Sequence, residues 1–323
     1  MIADHYSAYK MLSGLDNVLL LTHRNPDGDA LGSVFGLYLA LKKMGRNVRV
    51  EIDAAPSSLS FLVENEALTY FDEDYVVTVD VADVKLLPDD QYEKYASGVY
   101  LAIDHHESHK AYSEHLFLDS KAAATCEMIC NMLLSDSADI TEDIARCLYV
   151  GIATDTGCFR YSNVTTKTLL CAAALSERGV DMGEINRHIF ETKSWGYIEF
   201  EKLAMNSLKT YFDGKCAVLI ITREMYDAAG VTEGDTQAIT ALPRQIEGVL
   251  AGVVIKERAE GKFKISLRSN EPLWANEICQ ELGGGGHRYA AGCDVEGSAG
   301  EVLSQILEVI GRALAAIEGE EVK

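Results

Sequence analysis

The segment LLLTHRNPDGDALGS, residues 19–33, constrains this chain more than any other. An apolar run at 18–21 reads as a buried strand, and apolar residues at 31, 34, 35, 37, 39 and 41 give a helical repeat over 31–44. Between the two, His23, Asp27 and Asp29 fall within seven residues. The turn dipeptides Asn25-Pro26 and Asp27-Gly28 keep the connection short. A strand that passes directly into a helix belongs to an open α/β sheet, and such sheets bind ligands in the crevice beyond the carboxyl ends of their strands. Carboxylates crowded onto that loop repel one another unless a cation sits between them.

The pattern repeats. The apolar run 75–79 ends at Asp80, and the run 99–103 ends at Asp104, His105 and His106. Asp155, in GIATDTGCF, closes a helical run that starts near 142. Three strands therefore deliver carboxylates and imidazoles to one edge of a sheet, and a helix end adds a fourth source. Oxygen and nitrogen donors without a thiolate suit manganese, magnesium, iron or cobalt better than structural zinc. So many potential ligands exceed the needs of one ion and suit two. Two ions about 3.5–4 Å apart are the common apparatus for hydrolysing phosphate esters.

Strand signals near 18–21, 48–52, 75–79 and 99–103 alternate with helix signals near 31–44, 121–134, 142–154 and 166–178, after an opening amphipathic helix over 1–16. That alternation predicts βαβ units and a mainly parallel sheet with helices on both faces. Residues 183–212 carry long helical periodicity without a motif and read as a connector. From 216 a second pattern begins, in which CAVLIIT, GVLAGVVIKE and KFKISLR read as strands and 300–316 as a helix. The expected fold is α/β, with a catalytic domain over 1–185, a helical connector over 186–212, a smaller α+β domain over 213–318 and a cleft between the domains.

Charge narrows the partners. With 50 acidic and 29 basic residues, the net charge of −21 argues against a groove for long nucleic acid, which needs a basic stripe to release counterions. A small nucleotide stays compatible, because bound dications and a few placed arginines make a site locally positive. The eight scattered cysteines read as reduced core thiols of a cytoplasmic protein. No run of 18 apolar residues and no charged-then-apolar leader appears, so neither a membrane span nor a secretory signal is expected.

Taken in order, His23-x-x-x-Asp27-x-Asp29, Asp80, Asp104-His105-His106 and Asp155 resemble the four motifs of the DHH phosphoesterase family. LGGGGHRYAAG at 282–292 is similar to the glycine-rich signature of the associated C-terminal domain. The resemblance covers nearly the whole chain and extends to the NrnA-type oligoribonucleases. It implies that His23 and Asp27 hold one divalent cation, that Asp29, His105 and Asp155 hold a second, and that Asp80 bridges them, with Mn2+ ahead of Mg2+ or Co2+. It implies a catalytic His106 at the phosphoryl oxygen or the leaving group. Asp104 then either orients His105 or His106 from behind or serves as a turn cap. Gly284, Gly285, Gly286 and His287 would hold a distal phosphate or nucleotide, since glycine backbone approaches a ligand closely. Arg268 is a phosphate ligand or a surface ion pair, and Arg160 is a further candidate for the scissile phosphate.

The implied activity is hydrolysis of short oligoribonucleotides (nanoRNA) to mononucleotides, with adenosine 3′,5′-bisphosphate (pAp) giving AMP and phosphate at the same site. A cyclic or linear dinucleotide phosphodiesterase, acting on cyclic di-AMP or pApA, needs the same metals and anchor. A non-catalytic nucleotide sensor would tolerate lost ligands, and this chain retains them all. A family II-type pyrophosphatase would carry a Ser-Arg-Lys-Lys type motif, which this chain lacks. A RecJ-like exonuclease on long strands is at odds with the acidic balance. The expected partners are short RNA, pAp or dinucleotides, without a membrane, and oligomeric state is left open, a homodimer included. Asp83 reads as a helix N-cap or solvated acid, and His5, His109, His115 and His188 as surface or loop histidines.

Overall fold

The structure, a computed structural model, describes Ile2 and residues 4–321. The chain divides into two compact units, residues up to 192 and residues from 193. In the first, short runs of Val, Leu and Ile form β1 (Val18–Leu21), β2 (Val48–Glu51), β3 (Tyr75–Val79), β4 (Val99–Asp104) and β5 (His115–Leu118). Their order is β2-β1-β3-β4-β5, and every neighbouring pair is parallel. Strands covered on both faces need no alternation of polarity, which is why β1 is buried at all four positions. The strand order reverses between β1 and β3, and that reversal is where an open α/β sheet offers its ligand crevice.

The helices of this unit are α1 (His5–Ser13), α2 (Gly28–Lys43), α3 (Asp89–Tyr95), α4 (Thr125–Ser135), α5 (Glu142–Asp155), α6 (Thr166–Ser176) and α7 (Met182–Asn186). Helices α1, α2, α4 and α5 build one large core on one side of the sheet, and Leu87 with Tyr95 of α3 cover Leu19, Leu21 and Val99 on the other. Helices on both faces of a parallel sheet match the expectation. Three details differ. The strand β5 gave no sequence signal, because only Leu116 and Phe117 of its four residues are buried. The helix expected from 121 starts at Thr125, because Ala124 is extended (φ −160°). The long helix expected over 183–212 is broken: a π turn follows α7, Ser194 caps a new helix by accepting from the Tyr197 N–H (3.0 Å), and 209–211 are a strand.

The second unit holds α8 (Trp195–Met205), β6 (Lys209–Tyr211), β7 (Cys216–Ile221), α9 (Arg223–Ala229), β8 (Ala251–Ala259), β9 (Lys262–Ser269), α10 (Ala275–Glu281), β10 (Gly285–His287), β11 (Ala290–Glu296) and α11 (Ala299–Glu321). Its sheet runs β10-β11-β9-β8-β7-β6, with only β7–β8 parallel. Helices α10 and α11 pack on the face carrying Val253, Ile255, Ile265 and Leu267. Phe200 and Ala204 of α8 cover Leu219, Ile221 and Val254 on the other face. All eight cysteines are free thiols, buried except for the partly exposed Cys158. Among the described residues, no helix is long and apolar enough to cross a membrane.

Candidate active site

The carboxyl ends of β1, β3 and β4 place three groups of side chains together. His23 follows β1. Its Nδ1–H donates to the Arg24 carbonyl (2.9 Å), which leaves Nε2 toward Asp80 Oδ2 (3.8 Å) and Asp27 Oδ1 (4.0 Å). A carbonyl only accepts, so that bond fixes the tautomer. Asp27 caps α2, its Oδ1 accepting the N–H groups of Asp29 and Ala30 at 3.1 Å each. His105 repeats the arrangement: Nδ1–H donates to the Ala122 carbonyl (3.2 Å), and Nε2 lies 3.4 Å from Asp155 Oδ2, 3.7 Å from Asp80 Oδ1 and 3.9 Å from Asp29 Oδ2. Tying one ring nitrogen down so that the other is presented is how proteins prepare imidazole for a metal.

Asp80 is central to both sets. One ligand atom each from His23, Asp27 and Asp80 lies within 4.8 Å of the others, and the same holds for Asp29, Asp80 and His105. Asp80 sits in the left-handed region (φ 59°), which aspartate tolerates better than most residues. Asp29 is fully buried, and its two oxygens accept the N–H groups of Thr125 (2.6 Å) and Cys126 (2.9 Å) at the start of α4. The hydroxyl of Thr125 donates to Asp80 Oδ1 (2.9 Å). Thr125 went unnoticed in the sequence, since its contacts follow from the late start of α4; the signal was a threonine after three alanines. Asn163 supports Asp155 by donating to its carbonyl and to that of Ala123, both at 3.1 Å.

The donor set fits divalent cations. Burial, then the Asp29 carboxylate, push the Asp80 carboxyl up to about 7 against the pull of His106 and His105. Its ion-pair partners are the imidazoles of His23, His105 and His106. Buried carboxylates held that close are costly to ionise, and a cation among them removes the cost. These oxygen and nitrogen clusters have the composition of a dimetal site.

Asp104 turns to His106: its Oδ1 accepts from His106 Nδ1 at 2.8 Å. Burial opposes the charge on both partners. The Asp104 hydrogen bond and the Asp80 and Asp104 charges nevertheless raise His106 to about 9, and His106 holds Asp104 below its ordinary value. The pair is thus an imidazolium on a carboxylate, with His106 Nδ1 3.7 Å from Asp80 Oδ1. Asp83 caps a short turn, accepting from the Lys85 N–H (3.0 Å). His109 stacks on Tyr112, with ring centroids 5.0 Å apart. Arg160 follows a left-handed turn over Gly157, Cys158 and Phe159 (φ 54°, 58° and 60°), and its Nε donates to the Gly157 carbonyl (2.5 Å).

In the second unit the glycine run is not a free loop. The N–H groups of Gly283 and Gly284 close the end of α10, bonding to the Gln280 (3.0 Å) and Cys279 (2.8 Å) carbonyls. Gly285–His287 form the edge strand β10, paired with β11. Gly284 has no room for a side chain, since a Cβ would lie 2.2 Å from the Gly292 carbonyl oxygen. Arg268 lies on β9 in register with Ala290, which in turn pairs with His287.

The model of the DHH family N-terminal domain matches residues 17–152, and that of the DHHA1 domain matches residues 213–316. A Thermus thermophilus protein described as a bifunctional oligoribonuclease and PAP phosphatase, NrnA, is 31% identical over 303 residues, covering 92% of this chain and 90% of its own. The chain belongs to the DHH family. It is accordingly a phosphoesterase, an enzyme of the hydrolase class. The protein of the same description from Bacillus subtilis is 27% identical over 296 residues, covering 88% of this chain and 91% of its own. An exopolyphosphatase-related protein from Bacteroides fragilis superposes with a TM-score of 0.85 at 24% identity, covering 99% of this chain and 98% of its own, which establishes the shared DHH fold.

Proposed function

We propose that the chain is a dimetal phosphodiesterase that hydrolyses short oligoribonucleotides to mononucleotides and pAp to AMP and phosphate. The observation that carries this reading is the pair of donor sets meeting at Asp80, with the His106–Asp104 pair beside them. The likeness to proteins described as oligoribonuclease and PAP phosphatase supports the substrate class. In this reading His23, Asp27 and Asp80 hold one cation, and Asp29, Asp80, His105 and Asp155 hold the other, Mn2+ being the metal of choice. When bound, the cations supply charge stabilisation at the phosphoryl oxygens and a more acidic water.

The chain's own residues do the rest. Water oxygen bonds to phosphorus as the ester oxygen leaves in line, and the proton that the water loses passes to solvent. His106, held by Asp104 and charged, gives a proton to the departing oxygen. Arg160 contributes positive charge near the scissile phosphate. Residues 1–185 cut, 186–212 connect, and 213–318 anchor the far end of the substrate through Arg268, Gly284, Gly285, Gly286 and His287.

The test is a panel of pAp, pApA, a five-nucleotide RNA, cyclic di-AMP and pyrophosphate with Mn2+, alongside Asp80→Asn. Turnover should concentrate on the short RNA, pApA and pAp, and Asp80→Asn should abolish it while lowering bound metal. Near wild-type turnover by Asp80→Asn under limiting metal would refute the bridging role, and preference for cyclic di-AMP would reassign the substrate.

A further inference from the structure

The second unit carries a cationic patch beyond Arg268 and His287. On the sheet face opposite α10 and α11, register sets Lys256 of β8 beside Lys264 of β9 and Asp294 of β11. Two residues along, Val254, Ser266, Gly292 and Gly285 lie side by side. Two residues further stand Gly252, Arg268, Ala290 and His287. Directly opposed residues share a face, and while the β8 ends of the rows are covered by α8 and Arg244, the partly exposed residues of β9, β11 and β10 form one platform. Its middle row is nearly bare of long side chains, and a Cβ on Gly285 would meet nothing within 4 Å. Both outer rows carry cations.

The charges at the lysine end are under-compensated. Lys256 is 4% exposed, and Glu233 Oε1 lies 3.7 Å from its amine. Glu233 is shared with Arg258, whose Nε lies 3.4 Å from Oε2, and Arg258 also reaches Asp294 at 3.8 Å. Burial, aided by Lys264, Arg258 and Arg268, pulls the Lys256 amine down to about 8 despite Glu233. Burial and Arg258 lower Lys264 as well. Three cations, Lys256, Arg258 and Lys264, thus gather around Glu233 and Asp294 in a chain whose net charge is −21. Ammonium groups withdrawn from water beside one another cost free energy, and an anion placed among them offsets that cost.

We propose that Lys264 and Lys256 form a second anion subsite, so that one nucleotide ligand sets one phosphate here and another at Arg268 and His287. The inference rests on the reading of this unit as the substrate anchor and sharpens it: the platform takes nucleotides bearing two separated phosphates. Lys264 and Arg268 are four residues apart on β9, roughly 13–14 Å of strand, and both side chains are long enough to lean inward. Pyrophosphate, whose two phosphoryl groups share an oxygen, is too compact to engage both rows. Val254 lies under α8, so the room for the sugar is over the partly exposed Gly292 and Gly285.

The test is calorimetric binding of pAp, AMP and pyrophosphate to the full-length chain in chelator, where no turnover occurs. The wild-type protein should bind pAp roughly ten-fold tighter than AMP or pyrophosphate. Lys264→Met should remove that preference and leave AMP within about two-fold of the wild-type value. Lys264→Arg, which keeps the charge, should keep the preference. His287→Ala should weaken both nucleotides. Equal loss of AMP and pAp in Lys264→Met, or pyrophosphate binding as tightly as pAp, overturns the second subsite. Unchanged pAp binding in Lys264→Met beside a loss in His287→Ala removes the second subsite alone. Unchanged binding in both variants removes the anchor reading with it.

Discussion

Thr125 touches two of the carboxylates at once, through its N–H to Asp29 and its hydroxyl to Asp80. Groups that orient metal ligands are worth about ten- to a hundred-fold in metal affinity. Thr125→Val keeps the shape and the backbone contact but loses the hydroxyl, so it should weaken metal binding by about ten-fold, and Thr125→Ser should not. Calorimetric Mn2+ titration decides this; equal affinity in the valine and serine variants would show that the hydroxyl orients nothing. Lys256 supplies a residue-scale prediction away from the metals. Its folded amine titrates near 8 against an ordinary 10.5, so between those values the unfolded chain holds a proton that the folded chain has released. Unfolding free energy therefore rises with pH across that window, by roughly 3 kcal/mol from this group. Lys256→Met should flatten that rise and stabilise the protein at neutral pH, as denaturant unfolding at pH 7 and 10 would reveal. Parallel pH profiles for the two proteins would mean that Lys256 stays charged throughout. Ligand-type residues were legible in the sequence because His and Asp at strand ends are chemically conspicuous. Thr125 and the Lys256 row were not, because their meaning depends on a helix start and a strand register.

The elements that hold the site pack through glycines. A Cβ on Gly32 of α2 would lie 2.4 Å from the Cys147 carbonyl oxygen of α5. One on Gly151 of α5 would lie 2.2 Å from Cys126 Sγ and 2.7 Å from Asp29 Oδ1. Helices α2, α4 and α5 thus meet behind Asp29, and the site's geometry depends on their close approach. Gly151→Ala should cost about 1–3 kcal/mol as overpacking and should also displace the Asp29 carboxylate. Thermal unfolding with and without Mn2+ separates the two effects: the metal-induced rise in Tm should shrink in the variant. A variant with unchanged Tm and an unchanged metal response would mean that α4 yields freely. Among elements, β1, β3, β4 and α2 announced themselves, since unbroken apolar runs and a 3.6-residue repeat survive any tertiary context. The start of α4 did not, because its first N–H groups are satisfied by Asp29, far away in sequence, and a distant carboxylate leaves no local cap signal. The strands β5, β6 and β10 have four, three and three residues, too short for a period to show, and they exist by pairing with longer neighbours.

At the scale of the whole molecule, charge sets the length of substrate. The chain carries 50 acidic and 29 basic residues, yet gathers Lys256, Arg258, Lys264 and Arg268 on one face of the second sheet. A ligand of a few nucleotides needs only a few such cations to meet its phosphates. Each further phosphate meets a predominantly acidic protein, gains nothing from counterion release and is repelled. We therefore expect kcat/KM to be highest for two to four nucleotides, on the order of the number of phosphates the proposed subsites and metals can take, and to fall steadily with length. Salt should change the dinucleotide rate only modestly, because the salt dependence of binding grows with the number of phosphates neutralised. A long strand held in a basic track would behave in the opposite way, binding tightly at low salt and releasing steeply as salt rises. A length series of 5′-labelled RNA at two salt concentrations distinguishes the two. Faster cleavage of a strand of about two dozen nucleotides than of a dinucleotide, with a steep salt slope, would mean that the acidic balance does not govern access and that the enzyme works on long strands.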